Sequence, residues 1–174
     1  MFTEAVDAKL APDAACLHAR GGQSAKRNLS YRVMSITICT GKLHCVQVTA
    51  ARLDYEGSIT IDRRLMEAAD IAPFQLVHIN SMANAVHWET YAIPGSKGEI
   101  QLNGCPARLF QPGDKVIVLS LEQLSREEAT HVKQKVVLVG PNNVIRRIEI
   151  KSAETVRAQD SKRPGKRKGI RSSK

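Results

Sequence analysis

Between residues 36 and 150, turn-forming pairs break the chain before any segment can grow long, and this spacing limits the fold more than any other feature. The breaks are Glu56-Gly57, Pro94-Gly95, Asn103-Gly104, Pro112-Gly113-Asp114 and Gly140-Pro141-Asn142-Asn143. Glycine supplies backbone freedom at such points, proline fixes φ, and asparagine or aspartate bonds to its own backbone. The stretches between them are short and rich in β-branched residues: 36–49 (interrupted by Gly41), 58–61, 76–81, 85–93, 99–102, 115–121, 136–139 and 144–150. Two stretches carry helix signals instead. Residues 63–69 follow Asp62 as an N-cap, and residues 126–132 follow Ser125 with Glu128 in the S-x-x-E spacing of a capping box. Many short strands with two short helices predict a mainly β domain, a compact β-barrel. Aromatic residues make up only 4% of the chain, so Val, Ile, Leu and Ala must build its core.

Charge divides the chain into three zones. Residues 151–174 hold nine Lys/Arg against Glu154 and Asp160, a net of +7, and residues 1–33 hold five basic and three acidic groups, a net of +2. The formal charge of the whole is +9, so residues 34–150 are neutral. The expected organisation is a flexible N-terminal extension over 1–33, a barrel domain over 34–150, and a basic, disordered C-terminal tail over 151–174. A neutral barrel with few aromatics is a poor nucleic-acid surface, whereas the tail suits an acidic partner. Residues 1–33 lack an apolar core of the export type and carry Glu4, Asp7 and Asp13. Cys16, Cys39, Cys45 and Cys105 form no C-x-x-C pair, so free thiols in a cytoplasmic protein are expected. No apolar run reaches the roughly 20 residues of a membrane span, so no membrane partner is expected. His44 lies between Cys39 and Cys45 without a second ligand pair, so no metal is expected either.

One step carries distinctive chemistry. By itself Glu56-Gly57-Ser58 reads as an ordinary turn entering a strand. A Gly-Ser step can also cut itself. The Ser58 hydroxyl can attack the Gly57 carbonyl and move the acyl group from nitrogen to oxygen; β-elimination then gives dehydroalanine, and hydrolysis leaves a pyruvoyl group on a new amino terminus. Gly57, lacking a Cβ, can hold a strained backbone and admit the nucleophile. A donor must hold the developing oxyanion, and spacing alone does not identify it.

An ordered set of segments resembles the aspartate 1-decarboxylase family. It opens with Gly41-Lys42-Leu43-His44, Val46-x-Val48-Thr49, Leu53-x-Tyr55-Glu56-Gly57-Ser58 and Ile61-Asp62. It continues through Leu65-Met66-Glu67-Ala68-Ala69-x-Ile71, Thr90-Tyr91-Ala92-Ile93, Asn103-Gly104 with Ala107-Arg108-Leu109, and Gly113-Asp114-Lys115-Val116-Ile117-Val118. The resemblance covers residues 34–150. It implies a double-psi β-barrel and a homotetramer with active sites between subunits. The implied reaction turns L-aspartate into β-alanine and CO2 for pantothenate and coenzyme A. The implied cofactor is the covalent pyruvoyl group made from Ser58, which forms a Schiff base with the amino acid substrate; no metal and no pyridoxal phosphate would be needed. Gly57, Ser58, Thr90 and Asn103 would serve self-processing, with Thr90 holding the oxyanion and later touching substrate. Tyr91 would protonate the carbanion, and Lys42 would engage a substrate carboxylate. Gly104, Cys105 and Pro106 would line the pocket. Taken singly, Lys42 is an ordinary solvated lysine and Thr90 and Tyr91 are ordinary strand residues.

Three positions depart from the family pattern. His87 stands where an arginine usually grips a substrate carboxylate, Asn80 replaces an aromatic residue, and Cys105-Pro106 replace small residues. Losing a bidentate, charge-assisted pair weakens binding by about 1.5–3 kcal/mol. Pro106 also removes a backbone N–H from the pocket rim. All three changes fall on recognition, so self-cleavage should survive. Three functions stay open: aspartate decarboxylation, a divergent paralogue acting on another amino acid in a specialised pathway, and a non-catalytic β-barrel binding module with basic tails.

Overall fold

The computed structural model describes residues 35–161; the expected extension over 1–33, Cys16 and the tail beyond 161 lie outside the described residues. The strands are β1 (Ser35–Gln47), β2 (Ala50–Arg52), β3 (Ser58–Asp62), β4 (Leu76–Ser81), β5 (His87–Gly95), β6 (Ile100–Asn103), β7 (Lys115–Ser125), β8 (Gln134–Val139) and β9 (Ile145–Lys151). The helices are α1 (Arg63–Ala69), α2 (Arg126–Thr130) and α3 (Ala153–Ser161), and short 3-10 turns span Cys105–Arg108 and Pro141–Asn143. Strand order is β2-β6-β3-β5-β4-β7-β1-β8-β9. The pairs β1–β8, β2–β6 and β3–β5 are parallel, and the other neighbours are antiparallel. This mixed, mainly β architecture with short helices agrees with the double-psi β-barrel that the resemblance implies.

Alternation explains the core. In β4, Val77, Ile79 and Ser81 are buried while their neighbours are not, as the period of a strand requires. Leu43, Ile59, Ile61, Ile79, Leu102 and Phe110 are all at 0% exposure. β3 is different: all five of its residues are buried. Ile59 and Ile61 join the apolar core, so Ser58, Thr60 and Asp62 form a second, polar face that is also covered.

Gly41 does not interrupt β1. The strand bulges between Cys39 and Gly41, and a Cβ on Gly41 would lie 2.0 Å from the Ala69 carbonyl oxygen at the end of α1. The glycine permits a close helix–strand approach rather than a break. β2 carries no strand signal of its own, since Ala-Ala-Arg neither alternates nor branches at Cβ; its pairing with β6 makes it a strand.

Asp62 caps α1 as expected. Its carboxylate accepts from Arg64 N at 2.9 Å, Arg64 Nη2 at 2.6 Å and Gly98 N at 2.6 Å. Burial pushes this carboxyl up, but the Arg64 side chain and the Gly98 and Arg64 backbone N–H groups outweigh it and hold it below its ordinary value of 3.8. A depressed folded value means that the charged form stabilises the fold. That contribution is complete above the ordinary value and disappears as pH falls through the lowered one. Asp62→Asn is therefore expected to melt below the parent at neutral pH, with the gap in Tm closing on acidification. A gap that stays constant in a parallel pH series of thermal melts would remove this role.

The Ser125 capping box is present, with Ser125 N bonded to Glu128 Oε2 at 2.9 Å and Glu128 N to Ser125 Oγ at 3.2 Å. The helix stops at Thr130 rather than 132. The disordered tail expected from 151 needs correction at its start. β9 runs through Lys151, and α3 follows, so the described residues hold three helices rather than two. Ser152 explains the third: Ser152 Oγ accepts from Thr155 N at 3.3 Å, and Ser152 N donates to Thr155 Oγ1 at 2.7 Å. This cap sits ahead of a first turn that contains Glu154. No helix among the described residues is long and apolar enough to cross a membrane.

Candidate active site

The loop over residues 53–57 leaves β2 at Arg52 and enters β3 at Ser58, and both ends are registered on the same residue. Arg52 pairs with Asn103 in the parallel β2–β6 ladder, and Ser58 pairs with Asn103 in the antiparallel β3–β6 ladder. Asn103 therefore spans the mouth of the loop that contains the Gly57–Ser58 bond. Its side chain is fully buried. Nδ2 donates to Ser58 Oγ at 2.9 Å and to Thr60 Oγ1 at 3.0 Å, while Oδ1 accepts from Gln101 Nε2 at 2.7 Å. The Ser58 hydroxyl, itself 1% exposed, donates to the Glu56 carbonyl at 3.4 Å.

This buried polar row is a small machine for handling charge on Oγ. An amide N–H pressed against Oγ stabilises negative charge there as the hydroxyl proton leaves, and burial strengthens the effect. Gln101 and Thr60 were not singled out from the sequence. The signal was available, because each lies two residues from an expected site residue on the same strand and so shares its face. Replacing Asn103 with alanine strands Thr60 Oγ1 and Gln101 Nε2 and leaves Ser58 Oγ with the Glu56 carbonyl alone. Asn103→Ala is expected to destabilise the fold by about 1–3 kcal/mol, checked by denaturant titration; an unchanged midpoint would show that the row is not held by this amide.

Backbone constraint falls on a different glycine from the one expected. Gly57 is exposed and is not among the residues with positive φ. A Cβ on it would come no nearer than 4.0 Å to anything, the closest atom being the Asn103 carbonyl oxygen. The strained backbone expected at Gly57 is not what the structure has. Gly104 carries the constraint instead. Its φ is +75°, and a Cβ there would lie 3.0 Å from Gly57 Cα, 3.0 Å from the Tyr55 carbonyl oxygen and 3.1 Å from Gly57 N. Gly104 N also donates to the Arg52 carbonyl at 2.8 Å. The glycine after Asn103 is thus the floor on which the Tyr55–Gly57 backbone rests.

Tyr91 and Thr90 come from β5, the parallel neighbour of β3. Ile59 pairs with Ala92, so Ser58 and Tyr91 precede a registered pair and alternation puts them on one face of the ladder. Tyr91 is half-buried, with its ring 6.3 Å from that of Phe74. Thr90 pairs with Val77 and is 9% exposed. Its hydroxyl has no side-chain hydrogen bond among the described residues. Lys42 is not brought to Ser58 through the sheet. It sits half-buried on β1 between Leu119 and Val136, with β5, β4 and β7 intervening in strand order. Cys105 is exposed and Pro106 buried at the start of the 3-10 turn. Proline is well placed there, because an N–H in the first turn has no partner within the turn. His87 and Asn80 meet each other, His87 Nδ1 lying 3.0 Å from Asn80 Oδ1.

A family model described as aspartate decarboxylase matches residues 34–146, which takes in every strand named at the site. The aspartate 1-decarboxylase of Acetivibrio thermocellus is 48% identical over 123 residues, covering 70% of this chain and 96% of that protein. That of Clostridium beijerinckii is 47% identical over 117 residues, covering 66% and 94%, and that of Campylobacter jejuni 43% identical over 116 residues, covering 66% and 92%.

Proposed function

We propose, from the fact that this chain belongs to the aspartate decarboxylase family, that it cuts itself between Gly57 and Ser58 and then decarboxylates L-aspartate to β-alanine and CO2. The single observation that carries the reading is the buried Ser58 hydroxyl held against the Asn103 amide at 2.9 Å, beside an exposed glycine whose loop is seated on Gly104. Ser58 Oγ bonds to the Gly57 carbonyl carbon, the Gly57–Ser58 C–N bond breaks, and the nitrogen takes up a proton. Loss of the Ser58 Cα proton then expels the Gly57 carboxylate and leaves dehydroalanine. Water converts this to a ketone and releases ammonia.

The residues present fit a pyruvoyl group at position 58: its methyl would take the room of Cβ and Oγ and its ketone oxygen that of the Ser58 nitrogen, beside the buried Asn103 amide, which Thr60 Oγ1 keeps in place. Such a group supplies an electrophilic carbonyl that captures the substrate amine and accepts the electrons released with CO2. The reaction calls on neither pyridoxal phosphate nor a metal. Thr90, with its hydroxyl free of other side-chain bonds among the described residues, holds the oxyanion during cleavage and contacts substrate afterwards. Tyr91, on the face of Ser58, delivers a proton to the α-carbon. Lys42 pairs with a substrate carboxylate, and His87, Gly104, Cys105 and Pro106 border the pocket.

The working unit is the homotetramer with sites between subunits that membership of the family implies, in which a neighbouring subunit supplies Lys42, a residue remote from Ser58 in the sheet order. The large apolar side chains exposed near the site, Leu53 (43%), Tyr55 (49%), Phe74 (74%) and Leu76 (59%), support such an assembly, because a cluster of this kind is normally covered. The described cysteines Cys39, Cys45 and Cys105 are free thiols, in keeping with a cytoplasmic enzyme feeding pantothenate and coenzyme A synthesis.

His87 in place of arginine makes substrate choice the point to test. Cleaved protein is incubated with a panel of amino acids while CO2 and the amine product are measured. Aspartate is expected to give the highest kcat/KM, with β-alanine formed mole for mole with CO2. A tenfold preference for another amino acid would overturn the aspartate assignment and leave the self-cleavage chemistry standing.

A further inference from the structure

The register of the β4–β5 hairpin sets Asn80 opposite His87 and His78 opposite Glu89. Alternation puts all four side chains on one face. Glu89 Oε1 lies 3.3 Å from His78 Nε2 and 3.4 Å from His87 Nε2. The two imidazoles meet edge to face with centroids 4.9 Å apart, and one ligand atom from each of the three residues lies within 4.8 Å of the others. A tetrahedral ion with ligand bonds of about 2.0–2.2 Å separates its donor atoms by roughly 3.3–3.5 Å. Both distances to Glu89 match that separation.

Asn80 supplies an independent observation. Its Oδ1 lies 3.0 Å from His87 Nδ1, a contact that turns Nε2 of the same ring toward Glu89. Glu89 Oε1 thus has His87 Nε2 at 3.4 Å and His78 Nε2 at 3.3 Å on either side, three ligand atoms converging on one point. A hydrogen bond to the far nitrogen is also how metal-binding histidines are oriented. Access is open, with His87 at 49% and Glu89 at 51% side-chain exposure. His78 also lines a surface hollow of about 360 Å³ with Leu76 and Glu122.

We propose that His78, His87 and Glu89 bind a divalent transition-metal ion of the Zn2+ class, with Asn80 positioning His87 and at least one coordination position left exchangeable. Two imidazoles and one carboxylate select zinc, cobalt or nickel over magnesium and calcium, which prefer all-oxygen sets. Neither histidine–carboxylate geometry nor open position was visible from the sequence, where the expectation of no metal rested on His44 and its flanking cysteines. The ion would present positive charge on the face that Tyr91 and Ser58 share, and its free position suits a carboxylate-bearing small molecule. That last placement rests on the decarboxylase reading; metal binding does not.

The test uses full-length protein freed of metal by chelation and dialysis. Isothermal titration with Zn2+ is expected to show one saturable site per chain. Co2+ should give the visible absorption of low-symmetry, four- or five-coordinate cobalt, and Mg2+ should give no heat. Glu89→Gln and His78→Ala should each weaken Zn2+ at least tenfold with unchanged circular dichroism, and Asn80→Ala should weaken it less. Absence of saturable Zn2+ binding, or binding that both ligand variants leave intact, overturns the site. Zinc held by a chain that never cleaves would keep the site and count against the decarboxylase reading alone.

Discussion

Ser58→Ala is expected to leave the chain in one piece and to abolish CO2 release from every amino acid. No other atom can take the place of Oγ, since the same oxygen must attack the Gly57 carbonyl and then be eliminated to create the ketone. The fold should persist, because the Asn103 amide keeps Thr60 Oγ1 as an acceptor at 3.0 Å, and losing one such buried bond costs about 1 kcal/mol. Intact circular dichroism with a single uncut mass is the expected pair of results. Carbon dioxide release at the parental rate by the variant would remove Ser58 from the chemistry.

Gly104→Ala should have the next largest effect, although Gly104 takes no part in bond making. A Cβ would meet Gly57 Cα and the Tyr55 carbonyl oxygen at 3.0 Å, both backbone atoms, at a φ of +75°. The backbone conformation, with ψ at −141°, is close to one that only glycine adopts freely, and imposing it on alanine costs about 1–3 kcal/mol. The loop over 55–57 must lift away, and with it the carbonyl that Ser58 attacks. If strain of that size reaches the cleavage transition state, cleavage slows by about 5- to 150-fold. A time course of fragment appearance on warming measures this, and cleavage at the parental rate would show that the floor beneath Gly57 is dispensable.

The two glycines show what the sequence could and could not convey. Gly57 attracts notice because it precedes the serine, yet its φ is not positive and a Cβ there would meet the Asn103 carbonyl oxygen only at an ordinary contact distance of 4.0 Å. Gly104 follows Asn103 and reads as a turn; that the turn presses against residues 55–57 is a long-range fact with no local signature. Strands with alternating or branched residues, such as Leu76–Ser81, and helices with their caps in sequence, such as Arg63–Ala69, were legible to the residue or nearly so. β2 was not, because it owes its conformation to β6. α3 was hidden by the overriding basic composition of the tail, although Ser152 stood ahead of it as a cap. The meeting of His78 with Glu89 depends on hairpin register, which no single-residue pattern specifies. Asn103 meets Ser58 at 2.9 Å and Tyr91 lies on the strand paired with that of Ser58, both set by register, whereas Lys42 lies on a strand remote in the sheet order.

Mass spectrometry of the purified chain before and after borohydride reduction in the presence of aspartate tests most directly whether position 58 becomes a ketone. Two pieces should appear, one ending at Gly57 and one beginning at position 58 without a free amine, and reduction should add the mass of the amino acid to the second piece alone. An active preparation consisting of a single chain with an intact serine, unaltered by borohydride, would contradict it.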